Sequence, residues 1–420
     1  MVYQSPVGAR DLLPLDVAQK HWIEDHLQQV FEQWGYHRII TSTLERMETL
    51  MAGGAIDRRT ILEVQGLDQE VLGLRPELTA SIARAAVTRM AGSLFPQRLY
   101  YTANVFCRPS EANHSRQQEF YQAGVELLGG SGILADAEML LLLIESLETL
   151  GLGSPEAPQW QLILGEAGLT RSLLSRFPED CRQQVRGAIA HLDRLSLETL
   201  PLADSLREQA LLLLDLRGQP TQVLEQLSQW DLDEQQQQRV HNLKTLIELL
   251  QESLAPGGDE LHQLAHLPIV LDLSLIRTFD YYTGLVFEVA SRKGGGLQIL
   301  GQGGRYDELL GVYHPQGQSI SGVGFCLHIE PLHQILLQAG QLPQQVPASD
   351  WLVVSQTHHT DAMALAYARR LRQAQNRVRV ELYLEESPRP QVLHYAQARQ
   401  ISQIAWVDAD GNISFEALER

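Results

Sequence analysis

The ten residues EFYQAGVELL at 119–128 place the tightest limit on the fold. In an extended chain, side chains alternate across the sheet, so Tyr121, Ala123, Val125 and Leu127 share one face while Gln122, Gly124 and Glu126 share the other. The first is a core face and the second a polar floor. At about 3.3 Å per residue Gln122 and Glu126 lie about 13 Å apart, with Gly124 leaving room between them. An amino acid with an imidazole side chain spans about half that distance, and a hydrogen bond of about 3 Å at each end makes up the rest. The same spacing also describes an ordinary solvated strand face.

Further strand-like runs lie at 99–106 (LYYTANVF), 281–289 (YYTGLVFEV) and 321–327 (SGVGFCL), with helical patterns between them. Long strands with irregular connections predict an α+β fold on an antiparallel sheet. The first helix follows Asp16 and Gln19, which resemble a capping box. It carries the stripe Ile23, Leu27, Val30, Phe31 and Trp34, and ends at Gly35. From about 170 to 262 strand signals vanish, which predicts a helical insertion with the glutamines of DEQQQQRV on its solvated face. Residues 338–350, QAGQLPQQVPASD, read as a linker closing a first domain of 1–337. Residues 351–420 then read β-α-β-α-β, a small, largely parallel sheet.

Composition narrows the function. A net charge of −18 over 420 residues disfavours steering toward a polyanion. Residues 351–420 carry eight basic and eight acidic side chains, which supplies no basic stripe. Three scattered cysteines, Cys107, Cys181 and Cys326, offer neither a disulfide framework nor a CxxC metal site. The start MVYQSPVGARDLLP lacks the pattern of a signal peptide, and no apolar run reaches the ~18 residues of a membrane span. A cytoplasmic protein without membrane contact is the expectation.

Two more segments carry chemistry. In LRPELTASIARAA (74–86), Glu77 and Thr79 open a helix after an Arg-Pro step, where a carboxylate can receive an ammonium or simply offset the macrodipole. In IRTFDYYTGLVFE (276–288), Arg277 precedes a strand on which Tyr282 and Gly284 share a face. The run GQGGRYDELL (301–310) reads as a glycine-rich turn into a helix, by itself a weak phosphate-loop signal.

Taken in order, GARDLLP, LRPELTA, the strand pair at 105–126, IRTFDYYTG, GGRYD and GVGFCLHIE resemble the histidyl-tRNA synthetase family over nearly the whole chain. The resemblance implies a class II aminoacyl-tRNA synthetase-like six-stranded antiparallel sheet with helices, a helical insertion, and a small α/β C-terminal domain similar to an anticodon-binding domain. It also implies a histidine pocket: Glu77 and Thr79 for the α-amino group, Gln122 and Arg277 for the carboxylate end, and Glu126 with Tyr282 for the imidazole. No metal or cofactor is implied.

The nucleotide side departs from the family pattern. Where motif 2 has Phe-Arg-x-Glu, this chain has Cys107-Arg108-Pro109-Ser110, so Arg108 and the later Arg116 remain but Ser110 replaces the glutamate. The motif 3 arginine falls on Pro331, and the small residue three positions before it falls on His328. Proline suits a first helical turn, so the fold tolerates the change. Loss of one preorganised charged contact costs about 3 kcal/mol, or 10²–10³ in rate. A retained amino-acid pocket beside a degenerate nucleotide site is similar to the regulatory subunits of ATP phosphoribosyltransferase. That resemblance implies a non-catalytic protein that assembles with the short-form catalytic subunit, as a homodimer within a hetero-octamer, binds histidine for feedback control of histidine biosynthesis, and does not use tRNA. The alternatives are a divergent active histidyl-tRNA synthetase, for which Arg277, Arg108 and Arg116 speak, and a ligase making another histidine conjugate.

Overall fold

Strands Gln97–Phe106 and Glu119–Leu128 pair antiparallel along their whole lengths, and this ribbon is one side of the central sheet. The computed structural model describes residues 5–54, 56–67, 70–108, 117–153, 159–254, 268–276, 281–292, 296–373 and 378–418. Beyond Glu119–Leu128 the sheet continues through Gly322–His328, Gln298–Arg305, Leu285–Ser291 and Gln161–Glu166, each antiparallel to its neighbour. These six strands are the antiparallel body expected from the sequence. Short additions widen the sheet to nine: His37–Arg38 lies parallel on one edge, and Ile269–Asp272 followed by Arg217–Gly218 extends the other.

Helices Pro14–Gln33, Ile133–Thr149 and Ile329–Gln338 cover one face of the sheet. Ile23, Leu27 and Phe31 of the first helix pack with Leu140, Leu143, Leu332 and the sheet residues Val125, Phe287 and Phe325, all buried. Pro14 occupies the first helical position, where its missing N–H costs nothing. Asp16 therefore sits inside the first turn, not at the cap, and its carboxylate accepts the Leu13 N–H at 2.9 Å. Gly35, at φ +80°, lets the chain leave the helix in a left-handed conformation.

Six helices among the described residues, from Ala167–Leu174 to Glu234–Leu254, separate the strand Gln161–Glu166 from Ile269–Asp272. The glutamine run is only partly a solvated face. Gln236 is buried, its N–H donates to Asp233 Oδ1 at 2.8 Å, and its Oε1 accepts the Asp233 N–H at 3.1 Å. This reciprocal capping box starts the longest helix of the chain's described residues. GQGG is likewise not a turn: Gly301, Gly303 and Gly304 lie within the strand Gln298–Arg305. The segment holding Tyr282 and Gly284 precedes its strand, which starts at Leu285.

Contacts divide the chain into Met1–Leu342 and Pro343–Arg420. In the second unit Trp351–Ser355 lies parallel between Val380–Leu382 and Gln403–Val407, and Ile413–Ala417 pairs antiparallel with the latter. This fourth strand adds to the three read from the sequence and follows a tight turn: Gly411 takes φ +84° and Asp408 Oδ1 accepts the Asn412 N–H at 2.8 Å. Apolar clusters line both faces of the sheet, around Ala364 and Tyr367 on one and Val392 and Ala396 on the other.

Phe31 touches the rings of Tyr100 and Phe325 at centroid distances of 5.7 and 6.2 Å. Phe31→Ala is expected to remove about 3–5 kcal/mol of stability. A fall of less than about 1 kcal/mol in a urea titration would contradict its place at the helix-sheet joint.

Candidate functional site

The face of the sheet away from the three helices is built in rows. Strand register sets Leu99, Glu126, Gly324 and Gly304 side by side, then Tyr101, Gly124, Cys326 and Gln302, then Ala103, Gln122 and His328. Residues opposite one another in antiparallel strands point to the same face. The floor is therefore partly apolar, and it is not solvated: Gln122 is 8% exposed and Glu126 2%.

Glycine makes the floor concave at two points. A β-carbon at Gly324 would lie 2.0 Å from Glu126 Oε2, and one at Gly304 would lie 2.7 Å from the Tyr282 ring. Only a bare backbone lets the carboxylate and the ring lie flat against the strands. Gly124, by contrast, yields its space to the Tyr101 hydroxyl and not to a ligand.

Above these rows is a cavity of about 680 Å³, a size that suits a small ligand. Glu77, Thr79, Gln122, Tyr282, His328 and Pro331 all line it. Four of the six residues expected for a histidine pocket thus surround one space. A fifth, Glu126, lies directly beneath, where Thr79 Oγ1 donates to its Oε1 at 2.7 Å and the Tyr306 hydroxyl donates to its Oε2. The sixth, Arg277, lies outside the described residues, as do Ser110 and Arg116. Arg108 is exposed, its N–H bonded to the Thr60 carbonyl at 2.8 Å, and it is not among the described lining residues.

Local chemistry fixes each acid. Arg75 turns inward, bonding the carbonyls of Thr41 at 2.9 Å and Asn104 at 3.0 Å, and so anchors the loop that leads to Glu77. Glu77 then caps its own helix, Thr79–Thr88, accepting the N–H groups of Thr79 at 2.6 Å and Ala80 at 2.9 Å. Burial raises its carboxyl above the ordinary range, against the pull of these N–H bonds. Burial pushes Glu126 up to about 8, while the Thr79 and Tyr306 hydroxyls oppose the shift and the nearby Glu77 adds to it. When Glu126 holds a proton, one of its two hydroxyl contacts reverses and the acid donates.

The far side of the cavity holds Pro331, half-buried in the first turn of Ile329–Gln338, and next to it Glu330, which accepts the Tyr121 N–H at 3.0 Å. Burial raises Glu330 as well. Among the described lining residues there is no lysine or arginine. Gln117, Gln298, Gln302 and Gln334 supply neutral amides instead. The described lining thus offers carboxylates, hydroxyls and amides.

Tyr306 and Gly324 were not singled out by residue reasoning. Their signals were present in GGRYD and in the alternation of GVGFCLH, but their meaning depends on strand register.

An antiparallel sheet with a concave acidic floor, fed by a helix-opening glutamate, defines a class II synthetase-like domain. The sequence profile described as histidyl-tRNA synthetase matches residues 8–332. An ATP phosphoribosyltransferase regulatory subunit from Nostoc sp. is 58% identical over 420 residues, covering all of both chains. The solved structure of an ATP phosphoribosyltransferase regulatory subunit/histidyl-tRNA synthetase from Bacillus halodurans is 26% identical, with TM-score 0.78 over 97% of this chain and 99% of that one. A histidyl-tRNA synthetase structure from Nostoc sp., 22% identical, shares the fold with TM-score 0.75 over 99% of this chain and 97% of its own. This chain belongs to the histidyl-tRNA synthetase family, in its branch of ATP phosphoribosyltransferase regulatory subunits.

Glu126 gives a pH signature. Folded, it keeps a proton up to about pH 8, whereas its ordinary value is 4.5. Between those limits the folded state binds more protons than the unfolded chain, so stability falls as pH rises. The urea midpoint is expected to drop from pH 5 to pH 8, and to drop less in Glu126→Gln. Parallel pH profiles for the two proteins would refute the assignment.

Proposed function

We propose that the chain is a non-catalytic regulatory subunit of ATP phosphoribosyltransferase that receives histidine in the cleft over Glu126. In this reading Glu126 accepts an imidazole N–H and the Tyr282 hydroxyl serves the other ring nitrogen. Gln122 and Arg277 hold the ligand carboxylate. Glu77 receives the ammonium, and Thr79, whose proton already goes to Glu126 at 2.7 Å, keeps a lone pair for the same group. A ligand without both ring nitrogens forfeits the contact to Glu126 or to Tyr282, which is how a polar site rejects analogues.

The observation that carries the reading is the imbalance of the cleft. Glu77, Glu126 and Glu330 stand in or beneath it with Pro331, and no described lining residue is a lysine or arginine. A phosphoryl-transfer site needs fixed positive charge aimed at the phosphates. In this reading the cleft is a receptor and does not adenylate histidine. Histidine acts as a signal, in an assembly with a catalytic subunit that joins ATP to phosphoribosyl pyrophosphate. A homodimer within a hetero-octamer and a cytoplasmic setting complete the proposal. Among the described residues no helix is long and apolar enough to cross a membrane. A differential affinity of about 1–3 kcal/mol between active and inhibited assemblies suffices for feedback, and substrates then weaken histidine binding by the same factor. With no lysine in 351–420, tRNA is not an expected partner.

Three measurements test this. Adding the chain to a short-form catalytic subunit that is inert alone should restore phosphoribosyl transfer, while the chain by itself shows no histidine-dependent ATP–pyrophosphate exchange. Robust exchange without any effect on the catalytic subunit would favour a synthetase instead. Histidine should also raise the melting temperature of the wild type but not of Glu126→Ala, and equal shifts would remove Glu126 from the pocket.

A further inference from the structure

Glu77 and Glu126, 8% and 2% exposed, come from different elements and meet at one residue. The Thr79 N–H donates to Glu77 Oε2 at 2.6 Å, and the Thr79 hydroxyl donates to Glu126 Oε1 at 2.7 Å. The same hydroxyl also acts on Glu77, where it opposes the effect of burial. A hydroxyl has one proton and two lone pairs, so it donates to only one of the two acids at a time. When it turns to Glu77, its contact with Glu126 persists only if Glu126 carries a proton and donates it.

The surroundings favour that protonated form. Tyr101 from the strand Gln97–Phe106, Tyr281 and Tyr282 from the segment before Leu285–Ser291, Tyr306, and Cys326 from Gly322–His328 stand around Glu126, and Tyr36 acts from across the sheet. Burial raises the hydroxyls of Tyr36, Tyr101, Tyr281 and Tyr306 above their ordinary value, so all four are uncharged at neutral pH. Glu77 is faced by Tyr313 from the helix Leu309–Tyr313, also raised by burial, and by Cys107, whose thiol burial pushes up to about 11. Arg75, on the approach to Glu77, is turned to the carbonyls of Thr41 and Asn104. Among the described residues the charge that acts on Glu126 is that of Glu77, of the same sign. A buried carboxyl beside a like charge takes up a proton.

We propose that histidine enters this cleft in exchange for the proton of Glu126, so that the receptor weakens as pH falls. This exchange rests on the histidine reading above. The ligand ammonium, placed at Glu77 and on a lone pair of Thr79, turns the Thr79 proton toward Glu126. A neutral imidazole has one N–H and one bare nitrogen. The N–H goes to Glu126, and the Tyr282 hydroxyl donates to the bare nitrogen. Glu126 then accepts from Thr79, Tyr306 and the ring, and three donors favour the carboxylate. Its O–H bond breaks, the proton passes to solvent, and the ligand stays a zwitterion. Without ligand Glu126 holds its proton up to about pH 8. By linkage, histidine affinity falls by up to about tenfold for each pH unit below that point.

Calorimetric titration of the full chain with histidine at pH 7, in two buffers of different ionisation enthalpy, counts the protons exchanged. Release of about one proton per histidine bound is expected in the wild type, with affinity weakening about tenfold from pH 8 to pH 6.5. Glu126→Gln keeps an acceptor but no titrating group, so it should release fewer protons and show a flatter pH profile. If that variant binds no histidine, the wild-type proton count decides by itself. Zero net release or proton uptake in the wild type would overturn the exchange, and so would the same count and profile in Glu126→Gln. Histidine that binds at no pH would bring down the reading of the cleft and the exchange with it, whereas binding that ignores pH overturns the exchange alone.

Discussion

Glu126 is the point at which three distant stretches of the chain are tied together. Its carboxyl takes Thr79 from the start of one helix and Tyr306 from the turn after another strand, while Gly324 on the neighbouring strand stays bare to admit it. A carboxyl in such a place is costly, because burial disfavours its charge, and the protein meets that cost with two hydroxyls and a raised proton affinity. Both carboxyl oxygens are already hydrogen-bonded, so the proposed histidine must use lone pairs that the two hydroxyls leave over.

The rest of the architecture serves this geometry. Three helices packed on the opposite face, around Phe31 and Phe325, make the sheet stiff, and a stiff sheet keeps the rows of the floor in register. Arg75 pins the loop before Glu77 to carbonyls on two other segments, so the helix start that faces the cavity cannot drift. On the far side no described lining residue is a lysine or arginine. Pro331 fits the first turn as well as any residue could, and Glu330 beside it supplies the wrong sign for a phosphate. The helix itself requires at that turn only a residue compatible with its start.

What could be read from sequence follows the range of the physics involved. The strand at 119–128 was legible end to end, because alternation is local, and so was the stripe from Ile23 to Phe31. The motifs that mark the family survived as short strings. What failed needed partners from elsewhere. GQGG reads as a turn until its strand neighbours are known, and only then does Gly304 become room for Tyr282. Gln236 reads as one more solvated glutamine until Asp233 is seen to cap the helix with it. The signal of Tyr306 in GGRYD has no meaning until Gly322–His328 is seen to lie next to Gln298–Arg305, which sets its place beneath the cleft.

The central claim is that one half of an ancestral cleft persists while the other has lost its charge. Side-by-side titration of the purified chain with histidine and with Mg-ATP tests it most directly. Saturable, stoichiometric binding of histidine with no detectable binding of Mg-ATP in the presence or absence of histidine is predicted. Tight Mg-ATP binding that strengthens when histidine is present would contradict it.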